Sequence, residues 1–158
     1  MPSLPPVPPA GSLGARFVTL VTKVHVAVFR ATGGRLGSTS GGMAPTLLLN
    51  HLGAKSHTRR TTPLLYLSDG DDVVIVASRG GSPKSPGWYH NLKAHPATTV
   101  ELKGEKRAVT ARQATPAERG RLWPRLVEMY SDYAVYQSRA DREIPVMVLE
   151  PGRAGASA

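Results

Sequence analysis

Chemistry in this chain could come from two places: the tyrosines Tyr130, Tyr133 and Tyr136, three residues apart, and two basic, turn-forming segments at 53–60 and 79–84. On a helix or turn, a spacing of three puts the phenols near one face, where they can donate hydrogen bonds to an aromatic or carbonyl-bearing substrate. Half-buried packing with wet hydroxyls is the plainer account of the same cluster. In the basic segments Lys55, Arg59, Arg60, Arg79 and Lys84 supply charge, and Gly80 and Gly81 allow close backbone approach to a ligand. This suggests a groove for a polyanion. Trp88 and Tyr89 follow and could wall a flat ring, although an aromatic pair on a short helix is more often core.

Other chemistries find little support. There are no cysteines, no paired carboxylates, no GxSxG elbow and no HExxH helix. The five histidines lack metal-ligand spacing, so no metal is expected and His51 and His57 read as plain polar residues. Gly53-Ala54-Lys55-Ser56 is like the tail of a Walker loop but lacks the Gly directly before the Lys.

The formal charge is +9, and no acidic residue precedes Asp69, whereas Arg16, Lys23, Arg30, Arg35, Lys55, Arg59 and Arg60 do. Such asymmetry points to an anionic partner: nucleic acid, a membrane surface, or a phosphorylated or polycarboxylate small molecule. A nucleic-acid-binding barrel would use Arg59, Arg60, Arg79 and Lys84 for phosphates and Trp88 or Tyr89 for stacking. Its aromatics are not interleaved with charge along successive strands, so nucleic acid is not expected.

The elements that must position these residues fit one domain over 16–151, with a flexible arm at 1–15 and a flexible tail at 152–158. The start lacks the basic opening and unbroken apolar run of a secretory signal. Phe17, Leu20, Val21, Val24 and Val28 recur at helical spacing, with Arg16, Lys23 and Arg30 on another face, which predicts an amphipathic helix over 16–30. It is too short and charged to span a bilayer. Packing on its own domain or a second subunit is the plainer use of its apolar face, and an anionic membrane surface the other. A Gly/Ser-rich loop fills 31–45. Strands follow at 46–50, 61–68 and 72–78, the last two joined at Asp69-Gly70, then a short helix to Lys93 and strands at 98–102 and 106–113. Thr115-Pro116-Ala117-Glu118 opens a helix with a capping box, a short helix covers 132–139, and a last strand covers 144–150. Antiparallel hairpins with few helices predict a mainly β (α+β) chain, folded as a small barrel or a strongly curled sheet.

From Thr46 to Pro151, with strings such as SPGWYHNLKAHP and YQSRADREIPV, the chain closely resembles the deazaflavin-dependent nitroreductases, which use coenzyme F420. The resemblance implies an antiparallel split β-barrel with N-terminal and C-terminal helices, and a basic groove for the cofactor's ring, phosphate and polyglutamyl tail. By matching positions, Lys55, Ser56 and Arg60 would hold the anionic part, with Thr61, Thr62, Pro63, Leu64 and Leu65 alongside. Ala77, Ser78 and Arg79 would approach from the next strand and loop, and Gly87, Trp88 and Asn91 from the short helix. Tyr133, with Tyr130 and Tyr136 as neighbours, would face the substrate, and the Ser78 hydroxyl joins them as a catalytic candidate. Relatives often carry Arg where this chain has Ala54 and Gly where it has His57, Lys is common in place of Arg79, and some have a bulkier residue in place of Gly87.

The implied activity is hydride transfer from reduced F420 to a quinone, nitro compound or activated alkene. FMN is the alternative cofactor for the same barrel type. The partners implied are a small-molecule electron acceptor and a second copy of the chain. The location implied is the cytoplasm, on the cytoplasmic face of the membrane if the helix over 16–30 makes peripheral contact there.

Overall fold

The computed structural model describes residues 13–31, with side chains from Leu20 onward, and residues 45–152. The arm before Leu13, the Gly/Ser-rich segment 32–44 and the tail after Gly152 lie outside the described residues. Seven antiparallel strands form one sheet: β1 (Thr46–Leu52), β2 (Arg59–Leu65), β3 (Leu67–Asp69), β4 (Asp72–Val76), β5 (Ala97–Leu102), β6 (Glu105–Gln113) and β7 (Val146–Pro151). Their spatial order is β2-β1-β5-β6-β7-β4-β3.

The two edges of that order, β2 and β3, are consecutive in the chain with only Tyr66 between them. The sequence predicts one strand over 61–68. Instead the segment bends at Tyr66, pairing with β1 before the bend and β4 after it. One bent strand thus curls the sheet onto itself, which covers edges that would otherwise stand open. The result is the expected split barrel.

Alternation along the strands creates two cores. Leu47, Leu49, Val73, Ile75, Val100, Met147 and Leu149 point inward, where Tyr66, Trp88, Tyr89 and Leu92 complete the filling. Val74, Val76, Val146 and Val148 point outward beneath α3 (Pro116–Met129) and α4 (Asp132–Arg139). Helix α3 starts as the sequence predicts: Thr115 accepts from the Glu118 amide and the Glu118 carboxylate accepts from the Thr115 amide. The helix runs through Pro124.

Helix α1 spans Leu13–Ala31, longer at its start than the periodicity suggests. Phe29 is buried, but Leu20, Val21, Val24 and Val28 are 40% to 59% exposed. Its last turn is tied down where Arg30 donates to Glu101, Asn50 and Thr61. Among the described residues no helix is long and apolar enough to cross a membrane.

Candidate active site

The basic segments flank α2 (Gly87–Ala94), which sits between them. The β1–β2 turn closes on itself through Gly53 N–H to Thr58 O and His57 N–H to Gly53 O. It is fastened to α2 by Ala54 N–H donating to Asn91 Oδ1 at 2.9 Å. His57 stacks on His95, at the end of α2, with ring centroids 4.9 Å apart. On the other side of α2, an open groove of about 760 Å³ is lined by Arg79, Lys84, Gly87, His90 and Arg142, among others.

Residues 79–81 form a single 3-10 turn in which Arg79, Gly80 and Gly81 all have positive φ, at 45°, 63° and 80°. Glycine adopts this region freely, whereas Arg79 does so at a cost. The turn is held from behind. Arg142 donates through Nε to Ser82 O and through Nη2 to the carbonyls of Ala77, Ser78 and Lys84, at 3.1 to 3.4 Å. Its Nη1 is buried without a partner, and burial lowers the guanidinium pKa from its ordinary value. A cation in this position suits an anionic or carbonyl-bearing ligand.

Charge pairing sets the cations around α2 apart from most of the described arginines, although among the described residues Lys103, Lys106 and Arg139 are also without an ion pair. Arg30, Arg107, Arg112, Arg119, Arg121 and Arg125 each meet a carboxylate. Among the described residues, the side chains of Lys55, Arg59, Arg60, Arg79 and Lys84 make no ion pair or hydrogen bond. The acidic residues lie later in the chain and neutralise their own neighbourhood. This leaves positive potential around α2.

The remaining site expectations divide by strand alternation. The register pairs His51 with Arg60, Leu49 with Thr62 and Leu47 with Leu64, so these side chains share the inner face. Thr61, Pro63 and Leu65 take the outer face, where Thr61 donates to Asn50 Oδ1 at 2.8 Å. Thr61 borders a second hollow of about 410 Å³, which Arg30, Arg59 and Lys106 also line and which His51 and Arg60 reach from the β1–β2 end. The run from Thr61 to Leu65 therefore cannot present all its side chains to one ligand. Lys55, Ser56 and Gly87 are exposed, Ser78 and Asn91 half-buried, and Ala77 buried.

Trp88 and Tyr89 are only 5% and 8% exposed and belong to the inner core, so they are not available as stacking platforms for nucleic acid. The Tyr89 hydroxyl donates to Gln113 Oε1.

The tyrosines gather as their spacing suggests, but behind the groove, in the outer core. Tyr133 and Tyr136 are buried, and the Tyr130 and Tyr136 hydroxyls lie 3.3 Å apart. Tyr130 and Tyr133 meet edge to face at 5.0 Å. Burial raises the pKa of the Tyr130 phenol, with the neighbouring Tyr136 hydroxyl adding to it, and burial likewise raises that of Tyr133. Both stay protonated at any physiological pH. The cluster touches the groove through backbone: a Cβ on Gly81 would sit 2.7 Å from Tyr136 O.

Two residues of this site carry no local signal in the sequence. Arg142 is one. The other is His51, 6% exposed on the inner face, between Asn91 and Thr62 at 2.9 Å each. Burial, reinforced by the nearby charge of Arg60, lowers its pKa to about 4.

Comparison with known proteins decides between the cofactors that this geometry suits. The model of the F420H(2)-dependent quinone reductase family matches residues 21–151. The chain belongs to that family. It is 46% identical over 130 residues to an F420H(2)-dependent quinone reductase of Mycobacterium tuberculosis, covering 80% of this chain and 87% of the relative. A solved F420-H2 dependent reductase is 40% identical, with a TM-score of 0.63, over 67% of this chain and 94% of the other. A second solved structure, described as a domain-swapped dimer, is 33% identical, with a TM-score of 0.64, over 84% and 98%. The protein is thus an F420-dependent oxidoreductase. The residues fit that cofactor: unpaired cations around α2 suit its phosphate and glutamyl carboxylates, and the half-buried hydroxyls and Arg142 suit its carbonyls. The FMN alternative finds no support in these relatives.

Proposed function

We propose that the chain binds F420 along α2 and reduces a quinone. Lys55 and Arg60 hold the anionic part; Ser78, Arg79 and Gly87 border the ring from the groove; Asn91 fixes the β1–β2 turn against the helix. When bound and reduced, F420 supplies the hydride, so the protein has to provide position, charge and exclusion of water. The phenols of Tyr130 and Tyr133, protonated throughout the working pH range, do not act as bases; the cluster supports the groove from behind.

The observation that carries this reading is the set of uncompensated cations on both sides of α2, whereas Arg30, Arg107, Arg112, Arg119, Arg121 and Arg125 each meet a carboxylate. Titration of the purified protein with F420, followed by cofactor fluorescence, tests it, with menadione reduction by reduced F420 as the second readout. Saturable binding and turnover are expected. Binding of FMN with none of F420 would overturn it.

The apolar face of α1 supports a homodimer in which a second copy covers Leu20, Val21, Val24 and Val28. The same face, next to Lys23 and Arg30, would also suit peripheral contact with an anionic membrane. Light scattering of the protein alone, then sedimentation with anionic liposomes at low salt, separates the two.

A further inference from the structure

We propose that His51 is a positioning residue that turns the Thr62 hydroxyl into a hydrogen-bond donor aimed at a bound cofactor, through a one-way chain from Ala54 by way of Asn91. This rests on the F420 reading of the groove and assigns a role to a side chain on the barrel's inner face.

The direction of the chain follows from what each atom can do. A backbone N–H only donates, so the Asn91 oxygen, 2.9 Å from Ala54 N, is fixed as the acceptor, and with it the orientation of the amide. The other end, Nδ2, carries only hydrogens and lies 2.9 Å from His51 Nδ1. His51 Nδ1 must therefore accept. A neutral imidazole whose Nδ1 accepts carries its proton on Nε2, which lies 2.9 Å from Thr62 Oγ1 and donates to it. The Thr62 hydroxyl, with a lone pair engaged, keeps its own hydrogen. Among the described residues that hydrogen has no acceptor. Thr62 stands on the face shared with Arg60, the residue register-paired with His51, so the free donor and an unpaired guanidinium come from one strand two residues apart.

An imidazolium would break the chain, because its Nδ1–H would face the Asn91 amide hydrogens. The charges near the ring favour the neutral form. Arg60 faces it from β2, and Asn91 from α2 and Thr98, register-adjacent on β5, carry no charge. One coupling follows: the β1–β2 turn, α2 and β2 are locked by the same four groups, so a disturbance at His51 reaches Thr62 and Asn91 together.

Two measurements on the full chain test this. A long-range ¹H–¹⁵N spectrum of the cofactor-free protein at pH 7, with the His51 signals identified by their loss in His51→Gln, should show Nε2 protonated and Nδ1 bare; the opposite tautomer would overturn the relay. F420 titrations of His51→Leu, Thr62→Val and the double variant form a cycle. Each single change should weaken binding about fivefold to tenfold, and the double variant should bind no worse than Thr62→Val alone. His51→Gln, which keeps an N–H within reach of Thr62, should restore affinity to within about threefold of the unaltered chain. A His51→Leu loss that persists undiminished in the Thr62→Val background would mean that His51 only supports the fold. If the unaltered chain binds no F420, the cofactor reading fails, while the spectrum still decides the tautomer.

Discussion

The groove around α2 and the tyrosine cluster behind it are built from opposite materials. Around α2 and the adjoining end of β2, Lys55, Arg59, Arg60, Arg79 and Lys84 are left without partners among the described residues, and nearby polar groups are already arranged by His51, Asn91 and Arg142. In the cluster, phenols and rings satisfy one another and fill space beneath α3 and α4. The first region leaves its charges to solvent, so an anion that pairs with them offsets the cost of displacing that solvent. The second is stable because it excludes water. Charge left over marks a binding surface, and aromatic content by itself does not.

Truncation separates the two most strongly. Tyr133→Ala should destabilise the protein by about 3–4 kcal/mol, read from denaturant unfolding, because it empties a buried aromatic site. Tyr133→Phe should leave stability nearly unchanged, so any loss of turnover in that variant reports the hydroxyl itself. The two regions meet at Gly81, where φ is +80° and a Cβ would press on Tyr136 O. Gly81→Ala should therefore cost about 2 kcal/mol and weaken F420 binding as well, since it displaces the turn bearing Arg79. A stability loss with unchanged affinity would separate the regions completely.

Mild acid, above the range in which the paired carboxylates Asp69, Glu101 and Glu118 titrate, probes the groove. The folded chain keeps His51 neutral down to about pH 4, whereas its ordinary pKa is 6.5. Between those values the unfolded chain binds the additional proton, so this contribution is fully present above pH 6.5 and is lost as pH falls to 4. The loss should be about 2 kcal/mol after allowance for solvent screening, and it should vanish in His51→Gln. The smallest effect belongs to the turn: His57 has φ 54°, so His57→Gly should raise stability by about 0.5–1 kcal/mol.

Local signals in the sequence were good guides to local structure. The capping box at Thr115, the helix over 132–139 and the turn at Asp69-Gly70 depend on neighbours a few residues apart and were legible. The basic segments were legible as charge. What was not legible depends on distant partners: His51 takes its role from Asn91, 40 positions away, and Arg142 from carbonyls 58 to 65 positions away. The bend at Tyr66 was hidden too, because a strand that changes partners keeps the same alternation. Trp88 looked like a ring wall and is core, since on a short helix beside an open barrel the largest apolar surface is drawn inward.

Unpaired arginines, rather than net charge, are expected to hold the cofactor. F420 titrations of Arg60→Ala and Arg121→Ala at one ionic strength test it directly, because each removes one positive charge from the surface and Arg121 is already paired with Asp69. Arg60→Ala should weaken binding about 30-fold, roughly 2 kcal/mol, with Arg121→Ala within about twofold of the unaltered protein. Equal losses in the two variants would mean that the whole surface attracts the cofactor and that the residues around α2 have no special part in holding it.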